Sequence, residues 1–167
     1  GGGAVLTNDI EAGVRAKHLS TTAKQAHPWR FFHDEVGYNY RMPNINAALG
    51  CAQLEQLENF LVTKRRLNDH YRELFLKVSD VHIFEEPQGA MSNYWLCVLL
   101  MPENNGDLLE ETLKLLIENK VGARPVWDLM CDLPMYKDCP SMNLSGAREL
   151  SHRILCLPSS VYLGDHL

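Results

Sequence analysis

The sequence predicts an α/β chain in which a long helix leads into a small sheet with helices on one face. Three observations carry that prediction. Across residues 44–78 apolar side chains recur at helical spacing: Leu54, Leu57 and Leu61, then Leu67, Tyr71, Leu74 and Val78. Residues 94–101 form a near-continuous apolar run, suited to a central strand and far too short to cross a membrane. Beyond residue 80 the pattern runs strand, strand, helix, strand, helix, the layout of a small sheet with helices packed on it.

The elements follow in chain order. Gly1-Gly2-Gly3 opens into Ala4-Val5-Leu6-Thr7, predicted as a short strand. Asn8-Asp9 is a turn and helix start, with Ile10 and Val14 following at helical spacing. One strand and one helix cannot make a core, so this stretch reads as the end of a larger unit. Residues 20–42 read as irregular, with Thr21, Thr22, Pro28 and Gly37 among the aromatics Trp29, Phe31, Phe32, Tyr38 and Tyr40 and the ring of His33. An aromatic loop this long is a functional segment or an arm packed on a core or partner, not a disordered one. Pro43 fits a first helical turn, where its missing N–H costs nothing. Ala47, Ala48, Gly50 and Ala52 then give a surface that another backbone can approach closely. One straight helix over 44–78 would be unusually long, so a kink or break is expected at 55–62. Its exposed side is expected to carry Lys64, Arg65, Asp69, Arg72 and Glu73. Val81-His82-Ile83-Phe84 is a short strand. A helix starts near Asp107, whose carboxylate suits the positive N-terminal end, and carries Leu109, Leu113, Leu116 and Ile117. Residues 121–127 form another strand, and 128–143 a loop with Pro134, Tyr136 and Pro140. A last helix, marked by Ala147, Leu150 and Ile154, ends at Leu157-Pro158.

Composition narrows the function. Charged residues are 22% and hydrophobic ones 46%, an ordinary globular balance, so the chain can bury a core. The net charge is −5 and the densest basic run is only Lys64-Arg65-Arg66, which disfavours nucleic-acid binding. Five scattered cysteines, Cys51, Cys97, Cys131, Cys139 and Cys156, fit reduced thiols in a cytoplasmic protein better than a disulfide framework. Cys131 and Cys139 are wrongly spaced for a zinc pair, and no metal site is expected. Asn143-Leu144-Ser145 matches a glycosylation acceptor, incidental in such a chain. Glu85-Glu86 and Glu110-Glu111 are adjacent pairs that point different ways, so neither is a two-carboxylate hydrolase site.

Candidate binding groups lie on either side of the long helix. Asn39 has an amide that donates to a phosphate oxygen, or one that merely holds a turn after Gly37. Arg41 offers a bidentate fork to a carboxylate or phosphate, or it orders the loop by pairing with Asp34 or Glu35. His18 and His33 are possible acid–base groups, read as structural or substrate-adjacent.

The stretch from Gly37 onward holds three features in order: the run Gly37-Tyr38-Asn39-Tyr40-Arg41-Met42, the pair Ala47-Ala48, and Gln53-Leu54 leading into Leu57. In these the sequence resembles the DegT/StrS-type nucleotide-sugar aminotransferases, over nearly the whole chain but only the second half of a family member. The resemblance implies the C-terminal part of an aspartate-aminotransferase-type fold. Residues 1–25 would end the large cofactor-binding domain, and 26–43 would be an aromatic loop serving active site and dimer. Residues 44–79 would be the kinked helix, and 80–167 a small α/β domain without its last helix. It implies pyridoxal 5'-phosphate, with the cofactor lysine just ahead of Gly1 and no catalytic residue in this chain. Asn39 would bind the cofactor phosphate across a homodimer with shared active sites. Arg41, Arg124, Trp127 and Tyr136 would bind substrate, an arginine suiting a diphosphate and an aromatic ring a sugar nucleotide. The implied reaction moves an amino group from glutamate to a nucleotide-diphosphate keto-sugar, for surface glycans. Ala16-Lys17-His18, Thr21-Thr22-Ala23-Lys24 and His33-Asp34-Glu35 most resemble members that make 4-amino-sugars of the legionaminic-acid type. Two other readings stay open: a deoxysugar dehydratase of the same fold, with histidine in place of the lysine, and a non-catalytic dimerisation module.

Overall fold

The first helix, α1 (Ile10–Ser20), starts where the sequence places it. Asp9 caps it by accepting from the Ala12 N–H at 3.1 Å, and Lys17 and His18 in the last turn complement the negative end of the dipole. The computed structural model of the chain describes residues 1–103 and 106–167. Residues 4–7, expected as a strand, are exposed and join no ladder among the described residues; a strand needs a neighbour to satisfy its backbone. The helical pattern after Pro43 is divided. α2 (Asn44–Leu54) and α3 (Leu57–Phe75) are separated by a turn at Glu55 and Gln56. The chain forms two units, Gly1–Leu57 and Glu58–Leu167.

In the first unit the backbone from Thr21 to Met42 folds back on itself as an irregular ribbon after α1. Isolated bridges pair Thr21 with Asn39 and Lys24 with His33. α2 has no buried residue, and its large apolar side chains Ile45, Leu49 and Leu54 are exposed.

The second unit is built on a sheet. β1 (His82–Ile83), β2 (Cys97–Leu100), β3 (Arg124–Pro125) and β4 (Ile154–Leu157) lie in the order β1-β2-β4-β3, every pairing antiparallel. Between β2 and β3 the chain forms α4 (Gly106–Glu118). After β3 come two 3-10 turns, Met130–Asp132 and Pro134–Tyr136, then α5 (Ser145–Ser151); a short helix, α6 (Val161–Gly164), follows β4. Cys97 and Leu99 of β2 and Leu155 and Leu157 of β4 join Leu67 of α3 and Leu109 of α4 in one core, so the covering helices share a face of the sheet. Tyr71, Phe75, Leu113 and Leu116 pack against it.

Three expectations are corrected here. Ile154, expected at the end of a helix with Ala147 and Leu150, belongs to β4, and α5 stops at Ser151. Ala147, Leu150 and Ile154 fit a helical period, yet Ile154-Leu155-Cys156-Leu157 is a four-residue apolar run closed by Pro158, a pattern that periodicity alone does not separate from a strand. Pairing decides: β4 bonds β2 on one side and β3 on the other and so completes the sheet. On α3, Lys64 and Arg65 are partly buried rather than on the open side, because each reaches over to anchor a loop. Leu74 and Val78 are exposed instead, and Phe75 takes the core position.

Candidate active site

The ribbon of the first unit is shaped by close approach. Thr22 and Ala23 have positive φ, 69° and 48°, and Ala23 is fully buried. A Cβ on Gly37 would stand 2.5 Å from Ala23 N and 2.6 Å from the Thr22 carbonyl carbon, so only glycine passes there. Beyond it the backbone is tied on both sides of Asn39: Tyr38 N donates to Leu19 O at 2.7 Å, Thr22 N to Tyr38 O at 2.9 Å, and Tyr40 N to Ser20 O at 2.9 Å. The rings of Tyr38 and Tyr40 stack, with centroids 5.4 Å apart. In extended backbone alternate side chains share a side, so Asn39 projects from the face opposite the two tyrosines, and it is exposed.

Arg41 donates to Thr21 O at 3.1 Å. The alternative pairing with Asp34 or Glu35 does not form, because both carboxylates are engaged elsewhere. Glu35 receives both arms of the Arg15 fork. Asp34 accepts from Gln25 at 2.5 Å and pairs with His18 Nε2 at 2.7 Å. The hydrogen bond from Gln25 is the main cause that holds the Asp34 carboxyl below its ordinary range, and the bond from Arg15 does the same for Glu35. His18, Asp34 and Glu35 have the spacing of a metal set, with donor atoms within 4.8 Å of one another. Their existing partners make the cluster a clasp between α1 and the ribbon. His33 donates from Nδ1 to Thr22 O at 2.6 Å, a structural bond.

Lys24, Gln25, Ala26, His27, Pro28 and Arg41 line a cleft of 540 Å³. His27 Nδ1 accepts from the N–H groups of Trp29 and Arg30, at 3.3 and 3.1 Å, which leaves the ring proton on Nε2. The lining therefore offers an ammonium, a guanidinium and an imidazole donor without a carboxylate.

The remaining candidates lie in the second unit. Arg124 opens β3 and is exposed, paired through its backbone with Cys156. Trp127, two residues past β3, is exposed and stacks on Trp95, ring centroids 5.7 Å apart. Tyr136 ends the second 3-10 turn and is 40% exposed. Asn39 and Arg41 thus share one ribbon, Arg124 and Trp127 share one strand segment, and Tyr136 stands on a separate turn. Sequence reasoning missed Trp95, because the apolar run 94–101 placed it inside a central strand, whereas β2 begins at Cys97. It also missed Lys24 and His27, whose relation to Arg41 depends on the ribbon folding back. The five cysteines are unpaired, and burial pushes the Cys97 thiol up to about 11, so it is an inert core thiol.

Residues 1–166 match the model of the DegT/DnrJ/EryC1/StrS aminotransferase family, and the chain belongs to that family. It is 34% identical over 158 residues to GDP-perosamine synthase of Escherichia coli O157:H7, covering 95% of this chain and 42% of that protein. It is 30% identical to EpsN of Bacillus subtilis (strain 168), provisionally assigned as a pyridoxal phosphate-dependent aminotransferase, over 95% of this chain and 41% of that one. The fold matches Helicobacter pylori PseC, an aminotransferase involved in the biosynthesis of pseudoaminic acid, with a TM-score of 0.85, 19% identity, and coverage of 94% of this chain and 43% of that one. The chain therefore spans less than half the length of these relatives, and the architecture is that of an aminotransferase C-terminal region.

Proposed function

We propose that the whole protein is a pyridoxal-phosphate-dependent aminotransferase that moves an amino group, from glutamate, to a nucleotide-diphosphate keto-sugar for surface-glycan synthesis. Family membership supports the reaction class, and the names of the relatives support a nucleotide-sugar substrate. The observation that carries the reading within this chain is the anchored ribbon around Asn39. It holds an exposed amide, with an arginine two residues on and no carboxylate between residues 38 and 42. That donor set fits a phosphate dianion. The cofactor, when bound, supplies the electron sink for the reaction.

This chain's residues bind and orient. Asn39 donates to the cofactor phosphate in the neighbouring subunit's site. Arg41 and Arg124 hold phosphate or diphosphate oxygens, and Trp127 and Tyr136 meet the rings of the substrate. In this reading proton transfer belongs to the family's cofactor lysine and not to a residue named here. The protein works in the cytoplasm as a homodimer with shared sites.

Paired heterodimers test the shared site. One lesion is Asn39→Ala; the other removes the cofactor lysine. With the lesions on opposite chains, both fall in one active site and the other is whole, so about half of normal activity remains at limiting cofactor. With both on one chain, each site is damaged and activity is clearly lower. Equal activities, or the reverse ranking, would reject the cross-subunit role of Asn39.

A further inference from the structure

The turn that carries Trp95 is held more firmly than an exposed turn requires. Tyr94 has a φ of 43°, in the left-handed region that side chains other than glycine rarely adopt. Such a conformation persists where its surroundings over-determine it, and functional sites are where it clusters. Here Tyr94 N donates to Ser92 Oγ and Trp95 N to Asn93 Oδ1, both at 3.0 Å. Ser92 N donates to the Glu86 carboxylate, which is itself paired with Arg65 at 3.2 Å. Trp95 O accepts twice, from Lys64 Nζ at 3.2 Å and from Ser159 Oγ at 2.6 Å. Lys64 is drawn far enough from solvent that burial lowers its pKa. Yet the outcome of these anchors is not a buried indole. Trp95 is 65% exposed, and it lies against Trp127, 60% exposed, with the ring planes 22° apart.

We propose that Trp95 and Trp127 form a stacking platform for the nucleobase of a nucleotide-linked substrate. The proposal rests on the nucleotide-sugar reading above. A base presents a flat π-face whatever its identity, and stacking on a held aromatic is indifferent to its hydrogen-bond pattern. An indole offers a single N–H donor and no acceptor, so the pair suits a flat face and not the hydroxyl pattern of a sugar. Arg124 lies three residues before Trp127 on the same exposed segment, which suits the diphosphate joined to that base. A pre-held pair loses little freedom when a ring settles on it, which is what the anchors at Ser92, Asn93, Lys64 and Ser159 secure.

The experiment titrates the full-length protein with UDP, GDP and dTDP, and with pyrophosphate as the ligand that lacks a base, by calorimetry and by quenching of indole emission. Nucleoside diphosphates are expected to bind about tenfold more weakly to Trp95→Ala and to Trp127→Ala, while Trp95→Phe stays within about threefold of the parent. Affinities for pyrophosphate and for pyridoxal phosphate stay unchanged. If Trp95→Ala does not fold, Trp127→Ala carries the same expectation. Nucleoside diphosphates that bind the parent and both alanine variants equally overturn the platform and leave the nucleotide-sugar reading standing. A loss that extends equally to pyrophosphate also overturns it. If none of the three nucleotides binds the parent, the nucleotide-sugar reading falls and the platform with it.

Discussion

Gly37 and Asn39 show how two residues in one short run do different work. At Gly37 the neighbours of a new Cβ would be backbone atoms of Thr22 and Ala23, which cannot swing away. Gly37→Ala is therefore expected to destabilise the protein by about 1–3 kcal/mol, the usual cost of overpacking, read as a lower denaturant midpoint. An unchanged midpoint would mean that Gly37 passes Thr22 and Ala23 less closely. Asn39→Ala is the complementary case, because its side chain is exposed and the backbone bonds of its neighbours Tyr38 and Tyr40 survive. It should leave the midpoint alone and weaken cofactor binding about tenfold to a hundredfold, since a hydrogen bond to a charged partner is worth about 1.5–3 kcal/mol. A shifted midpoint with normal cofactor affinity would make Asn39 a turn residue. The sequence named both positions, but the contact that requires glycine was not readable. It depends on residues fourteen and fifteen positions earlier adopting positive φ, which Thr22 and Ala23 do not advertise.

The ribbon and α2 are the elements whose roles extend beyond their own packing. The clasp of Arg15 and His18 on Glu35 and Asp34 ties the ribbon to α1. Both carboxyls titrate below their ordinary values in the folded chain, so their contribution is present above the unfolded values and is lost as pH falls through the folded ones. Hydrogen-exchange protection of amides 22–40 should thus hold near neutrality and decline only below about pH 4. Protection that falls between about pH 7 and 5 would assign the pinning to another group. α2 exposes Leu49 and Leu54 beside its small residues, a surface suited to close approach by a second helix or backbone. In the whole protein, Gly50→Leu is expected to shift sedimentation from dimer toward monomer; a monomeric parent, fully active at high dilution, would contradict the shared-site account. Helical periodicity made α3 and α4 legible, because each lays a repeating apolar stripe on the core. The ion pairs of the ribbon were not legible: Arg15 and Glu35 are twenty residues apart, and a single sequence does not report which distant charges meet.

For the molecule as a whole, β2 was visible as an apolar run and β4 was not. The two pair along their full length, from Cys97 opposite Leu157 to Leu100 opposite Ile154, so half of the sheet's centre was hidden in a segment that also fits a helix. The site was legible only in pieces. Asn39, Arg41, Arg124, Trp127 and Tyr136 were named individually, whereas Lys64 and Ser159, which set the place of Trp95, come from α3 and from the turn after β4. The family match gives the class of protein and leaves the reaction as the claim to test. The direct measurement supplies the full-length protein with pyridoxal phosphate, nitrogen-15-labelled glutamate and a nucleotide-linked 4-keto-sugar, and follows the sugar nucleotide by mass spectrometry. The account predicts that the sugar's keto oxygen is replaced by a labelled amino group. A sugar that loses an oxygen without gaining nitrogen, or one returned unchanged by a protein that binds no cofactor, would contradict it.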